Sequence, residues 1–207
     1  MKLKIVGLGD STTAGTPGFL SPIESPPDGA GDKKSQYSYW LMRGHSDWDV
    51  LNRGVNGERS DQILRRLAKD VISEEPAIAV ILAGVNDIYQ GFAADFTTRN
   101  LSKMYSKCLR AAIVPVLCTI LPYDTMGKRE KLLRRELNGW IESESQRLRV
   151  PFSDTAEAVS ASDNADRLSG SPDRIHPDVA GYRRMATAIG KTIVAYLDKH
   201  PLAAPRK

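Results

Sequence analysis

Apolar, often β-branched runs recur along the chain, and stretches with helical spacing separate them. The runs are Leu3–Gly9 (LKIVGLG), Asp49–Gly54 (DVLNRG), Ala77–Gly84 (AIAVILAG), Ile113–Leu121 (IVPVLCTIL) and the short Val150–Asp154 (VPFSD). Near-continuous apolar runs of this length suit strands buried on both faces, which is the condition inside a parallel sheet. Between them, Gln36–His45 puts Tyr37, Trp40 and Leu41 on one helical face. Ile63, Leu64, Leu67 and Val71 mark a second helix, with Ser60 placed to cap it. Leu101, Met104, Tyr105, Cys108 and Leu109 mark a third. Leu132, Leu133, Leu137, Trp140, Ile141 and Leu148 mark a long fourth. Val179, Tyr182, Met185, Ala186, Ile189, Ile193 and Leu197 mark the last, with Pro177 where a helix can begin. Trp40 and Trp140 read as core. Strands alternating with helices predict a three-layer α/β/α domain built on a parallel sheet.

Two segments break the pattern. Residues 16–35 are rich in Pro and Gly, and residues 155–172 are rich in Ser and Asp. The first exceeds the usual connection in a compact domain, and long loops of that kind tend to be functional or disordered. No repeat and no linker is visible, so residues 1–207 are expected to form a single domain, with a loose tail from about Lys199 to Lys207.

Charge and cysteine content narrow the class. The net charge of +4 comes from basic residues interleaved with acids in stretches such as LRRLAK and KREKLLRREL. These read as solvated helix faces, so no nucleic-acid partner is expected. The first apolar run stops at Asp10, short of the apolar core of a secretory signal, and no run is long enough to span a bilayer. Cys108 and Cys118 form neither a disulfide framework nor a metal-ligand pattern. They read as buried, reduced thiols of a cytoplasmic protein without membrane anchoring.

In an open parallel sheet, sites form beyond the carboxyl ends of the strands. The first run is followed by Asp10–Ser11, the second leads into NRGVNG (Asn52–Gly57), and the third is followed by GVND (Gly84–Asp87). DRIHP (Asp173–Pro177) precedes the last helix. On one sheet edge these loops would supply a serine hydrolase. Ser11 is the candidate nucleophile. A free hydroxyl is weak at neutral pH and needs a base, and His176 is the candidate. Asp173 is placed to accept from the other imidazole nitrogen, setting its tautomer. The N–H of Ser11, the N–H of Gly54 and the side-chain amide of Asn86 are the candidate oxyanion donors. Asp10, Asn56 and Asp87 read as residues that hold these loops by hydrogen bonds. Tyr89, Phe92 and Tyr123 follow strand ends and are candidates for an acyl pocket, with ordinary packing the equal alternative. His45 and His200 have no motif around them.

With these residues in place, the chain resembles the SGNH hydrolases, the GDSL esterase/lipase superfamily. GDST matches the first block of that family, Gly54 in NRGVNG the second, GVND the third and DRIHP the last, in the family's order. The resemblance implies a flavodoxin-like fold of five parallel strands, with helices on both faces. It also implies Ser11, Asp173 and His176 as the triad, with Ser11, Gly54 and Asn86 as the oxyanion hole. The chemistry it implies is hydrolysis of small-molecule esters or thioesters through an acyl-enzyme, with no metal and no cofactor. Thr12 stands where the family name has Leu, and Val85 where Thr is common; both bear on substrate detail more than mechanism. The long loop after the first block has no counterpart in the smallest relatives.

Other readings share parts of this pattern. A carbohydrate deacetylase or a lysophospholipase would use the same residues. A flavodoxin-like module could hold a phosphate or flavin at the glycine-rich first turn. Asp10 in that turn would repel a phosphate, no lysine is available within it, and the Asp-x-x-His pair would be left without a role.

Overall fold

A computed structural model describes residues 2–201. Strand β1 (Leu3–Gly9) runs into a one-turn helix α1 (Ser11–Ala14). The loop that follows holds a small hairpin of β2 (Phe19–Leu20) and β3 (Ala30–Gly31). Then come α2 (Tyr37–Gly44), β4 (Trp48–Gly54), α3 (Ser60–Asp70), β5 (Ile78–Leu82), α4 (Val85–Tyr89), α5 (Ala94–Arg110) and β6 (Val114–Cys118). The chain continues through α6 (Lys128–Leu148), β7 (Phe152–Ser153), α7 (Thr155–Val159) and a second hairpin of β8 (Ser160–Ala161) and β9 (Asn164–Leu168). The last helix is α8 (Val179–Lys199).

The main sheet has five strands in the order β4-β1-β5-β6-β7, with every neighbouring pair parallel. Side chains alternate across it with the strand period of two. On β5, Ile78, Val80 and Leu82 enter one core, with Tyr37 and Leu41 of α2 and Tyr182, Met185, Ile189 and Ile193 of α8. Ala79 and Ile81 enter the other, with Ile63 and Leu67 of α3, Met104 and Tyr105 of α5, and Leu137 and Ile141 of α6. Both faces are therefore covered, which explains why the strands read as unbroken apolar runs rather than alternating ones. Trp40 and Trp140, expected inside, are only partly buried at the margins of these two cores.

Pro115 sits in β6 without breaking the sheet. Val114 donates its N–H toward β5, to Ala77 O at 3.0 Å, and Leu117 donates the opposite way, to Pro151 O at 2.9 Å. By alternation the ring nitrogen of Pro115 faces the β7 side, where pairing has not yet begun.

Two expected helix starts are different in the structure. Ser60 is the first helical residue rather than the cap, and its hydroxyl is drawn to the carboxylate of Asp87. The last helix begins at Val179, two residues after Pro177, and is capped by Asp178, whose Oδ1 accepts the Gly181 N–H at 2.7 Å. Of the expected tail, Lys199 is still helical and His200 donates its N–H to Tyr196 O. Residues 202–207 lie outside the described residues.

The register aligns Gly9 of β1 with Gly54 of β4 and Leu82 of β5. Their carboxyl ends therefore finish level, and the loops carrying Ser11, Gly57 and Asn86 leave the sheet side by side.

Candidate active site

Ser11 opens α1, one residue past Asp10, whose Oδ1 accepts the Thr12 N–H at 3.0 Å. Asp10 is fully buried and its Oδ2 has no hydrogen-bond partner among the described residues. Burial pushes this carboxyl up to about 7, against the pull of the Thr12 N–H and with a further push from Asp87. The Asp10 carboxylate occupies the helix N-terminus that a bound phosphate would need, which removes the seat of the phosphate-binding reading.

Ser11 Oγ lies 2.8 Å from His176 Nε2, and His176 Nδ1 lies 2.6 Å from Asp173 Oδ2. His176 and Asp173 are 165 and 162 positions from Ser11 in sequence, so only the fold brings them to it. Asp173 Oδ1 also accepts the N–H groups of His176 (2.8 Å) and Ile175 (3.0 Å), which ties the loop back on itself. Burial raises the Asp173 carboxyl, but the hydrogen bonds from His176 and Ile175 outweigh it and hold it below the usual carboxylate range. An ionised Asp173 bound to Nδ1–H leaves Nε2 free to accept the Ser11 proton.

A cavity of about 350 Å³ opens on this pair. Ser11, Thr16, Asn56, Gly57, Asn86, Tyr89, Tyr123 and His176 line it, together with an apolar wall of Val85, Leu121, Pro122 and Ile175. Among the described residues, no Asp, Glu, Lys or Arg lines it. Tyr89 meets Tyr123 edge-on at 6.0 Å between ring centroids, and the Tyr123 hydroxyl donates to Glu130 Oε1 at 2.6 Å. Phe92 is not in the wall: it packs on Phe96 with the Arg59 guanidinium over its ring.

The expected loop-holding residues each have a visible task. Asp87 is fully buried, accepting the Ser60 N–H at 2.9 Å, the Ser60 hydroxyl, and the Thr97 hydroxyl at 3.2 Å. It ties the third loop to α3. Asn56 accepts the Thr16 hydroxyl and donates its N–H to Glu24 Oε1 at 2.8 Å, joining the second loop to the long segment after α1.

Gly54 does not border the cavity. It is buried at the end of β4, its N–H is donated to Asn52 Oδ1 at 2.9 Å, and a Cβ on it would lie 2.0 Å from Ala14 N. It is glycine because the backbone of α1 crosses it. Gly57, three residues on, does line the cavity; it has φ +72° and its N–H has no acceptor among the described residues. The Ser11 N–H is likewise without an acceptor. One N–H of the Asn86 amide goes to Glu58 O at 3.0 Å, and the other is left for the cavity. A signal for Gly57 was present in the sequence: sites lie beyond strand ends, and Gly54 is still strand.

The model of the GDSL-like lipase/acylhydrolase family matches residues 8–184. The chain belongs to this family. An acetylxylan esterase of Geobacillus stearothermophilus is 24% identical to this GDSL acylhydrolase, over 70% of this chain and 71% of the relative. Esterase TesA of Pseudomonas aeruginosa is 26% identical, over 71% of this chain and 70% of its own. Among solved structures, a G-D-S-L family protein from Desulfitobacterium hafniense superposes with a TM-score of 0.77 at 23% identity, covering 92% of this chain and 99% of that one. The five-stranded parallel α/β/α architecture is thus that of the family, and the protein is a hydrolase of ester bonds. Among the described residues, no group of three or more His, Cys, Asp or Glu is arranged to hold a metal ion, and no helix is long and apolar enough to cross a membrane.

Proposed function

We propose that Ser11, His176 and Asp173 carry the hydrolysis, and that the substrate is a small-molecule ester with an apolar acyl group larger than acetyl. Ser11 Oγ attacks the acyl carbon while His176 Nε2 takes its proton. The oxyanion that forms accepts from the N–H of Ser11, the free N–H of Asn86 and the N–H of Gly57, which replaces Gly54 in this role. Nε2 then returns the proton to the leaving oxygen, and the acyl group stays on Ser11. Water attacks the acyl-enzyme with Nε2 again as base, releasing the acid. Asp173 holds the imidazole and offsets its charge at each transfer.

The observation that carries this reading is the Ser11–His176–Asp173 chain of 2.8 Å and 2.6 Å bonds at the mouth of a cavity walled by Leu121, Pro122 and Ile175. A wall without formal charge suits a neutral acyl chain, of an oxygen ester or a thioester. The name of the Geobacillus relative favours a second substrate, an acetylated carbohydrate. We read residues 1–207 as one catalytic unit of the cytoplasm. The family match over residues 8–184 and two buried cysteines without a disulfide support that.

The test is hydrolysis of p-nitrophenyl esters from acetate to palmitate, beside an acetylated xylo-oligosaccharide. Ser11→Ala is expected to lose at least about 10³-fold in kcat. The wild type is expected to prefer an acyl chain longer than acetate. Undiminished hydrolysis by Ser11→Ala would end this mechanism, and a preference for the acetylated sugar would select the second substrate.

A further inference from the structure

The N–H proposed for the oxyanion at Gly57 hangs on an exposed loop, and a Cβ there would meet nothing within 4 Å. Packing does not hold it. A donor lowers a barrier only if it is already aimed when the charge forms. The Asn56–Glu58 segment must therefore be fixed by something else, and hydrogen bonds fix it from both sides.

On one side stands Glu24, from the long loop after α1. Its Oε1 accepts the Asn56 N–H at 2.8 Å and its Oε2 accepts the Ser21 N–H at 3.2 Å. Ser21 in turn donates its hydroxyl to Gly54 O at 2.6 Å, and the Thr16 hydroxyl donates to Asn56 Oδ1. The loop is itself tied down where the Tyr182 hydroxyl of α8 donates to Thr16 O at 2.8 Å.

On the other side stands Arg66 of α3. Nε donates to Glu58 Oε2 at 2.6 Å, Nη1 to Arg53 O at 2.8 Å and Asp70 Oδ2 at 2.9 Å, and Nη2 to Gly9 O at 2.8 Å. One planar guanidinium thus joins the ends of β1 and β4 to the residue after Gly57. Lysine has the charge but not the fork. Glu58 O also receives the Asn86 amide, so the same residue steadies a second donor.

We propose that Glu24 and Arg66 are positioning residues, a two-sided clamp that aims the Gly57 N–H and the Asn86 amide at the oxyanion. The inference rests on the reaction proposed above. It makes the long loop part of the machinery for transition-state binding, through a residue that does not line the cavity.

The experiment compares wild type with Glu24→Ala, Glu24→Gln, Arg66→Lys and the Glu24→Ala/Arg66→Lys double variant. p-Nitrophenyl butyrate is the substrate. An alkylboronic acid is the second probe, because its adduct with Ser11 Oγ places an oxygen where the oxyanion forms. Glu24→Ala and Arg66→Lys are each expected to lower kcat about tenfold, less than the loss of a whole oxyanion donor costs. KM should stay within about twofold, and the boronate Ki should rise by the same factor as kcat falls. Glu24→Gln keeps an acceptor oxygen for the Asn56 N–H and should recover most of the rate. The double variant should lose less than the product of the single losses, because both act on one segment. If Arg66→Lys does not fold, the Glu24 pair decides alone. Unchanged kcat and Ki, or a loss no larger than the fall in folded fraction, would overturn the clamp. Active Ser11→Ala would overturn the reaction itself, whereas inactive Ser11→Ala beside fully active clamp variants would overturn only the clamp.

Discussion

Ser11 and His176 touch, yet they are held in opposite ways. Ser11 stands at the end of β1, a strand paired on both sides and buried on both faces from Ile5 to Gly9. Its place is a consequence of the core. His176 stands in the loop between β9 and α8, where Arg174 and Ile175 are exposed. That loop is held by local hydrogen bonds: Asp173 Oδ1 accepting from two N–H groups, Asp124 N–H donating to Arg174 O at 2.8 Å, and Asp178 N–H donating to Gly170 O at 3.0 Å. The proposed nucleophile therefore cannot be moved without disturbing the fold, whereas the proposed base can be misaligned on its own.

The sharpest way to break this contrast is Asp173→Asn. It leaves the core untouched but removes the acceptor for Nδ1–H, so kcat should fall about 10³–10⁴-fold with only a small fall in melting temperature at neutral pH. A large loss of stability would mean that the base loop is also structural. Asp173 titrates below the ordinary 3.8, so its stabilising effect is present above that pH and lost as pH falls further. Acid unfolding is thus where the variant should converge on wild type.

On the nucleophile side the expected signature is stability. Burial lifts the Asp10 carboxyl from 3.8 to about 7, so the folded protein binds a proton that the unfolded chain releases between those values. Wild type should therefore lose stability as pH rises from about 4 through about 7, by up to about 4 kcal/mol. Asp10→Asn lacks this titration. Its stability relative to wild type should climb between pH 5 and pH 8 in urea unfolding, and a flat difference would refute the buried-proton account.

The smallest of the three effects separates two glycines. Gly54→Ala drives a Cβ into Ala14 N and should cost about 3 kcal/mol while shifting α1 and Ser11 together. Gly57→Ala meets open space and pays only the strain of φ +72°, about 1 kcal/mol, yet should lower kcat by displacing its N–H. Equal losses of stability at the two positions would erase the distinction between packing and chemistry.

Much of this was legible in the residues, and the reasons are physical. The strands could be read because both faces of the sheet are buried, which leaves an apolar run wherever a strand passes. Ser11 and Asn86 could be expected together because a parallel sheet puts its strand-to-helix loops on one edge, whereas Asp173 and His176 follow the β8–β9 hairpin and were read from their Asp-x-x-His spacing. The choice between Gly54 and Gly57 turned on where β4 ends: the apolar run already reached Gly54, and pairing with Gly9 keeps that residue in the strand, so the loop beyond it begins later. Phe92 follows a strand end as Tyr89 does, but the turn after α4 sends it toward Phe96 and Arg59 instead of the cavity. Ser60 looked like a cap because its partner, Asp87, is 27 positions away. Arg66 was hidden among the charges of LRRLAK, where an arginine that binds backbone at two strand ends looks the same as one in water.

The bond from Tyr182 to Thr16 joins the first loop to the last helix. During synthesis the nucleophile leaves the ribosome early and the base late, with nearly the whole sheet made in between. A chain that ends before His176 would carry Ser11 but no partner for its proton. On the proposed reaction, copies cut short of that point are expected to be inert toward esters, and activity would report that synthesis has passed the loop before α8.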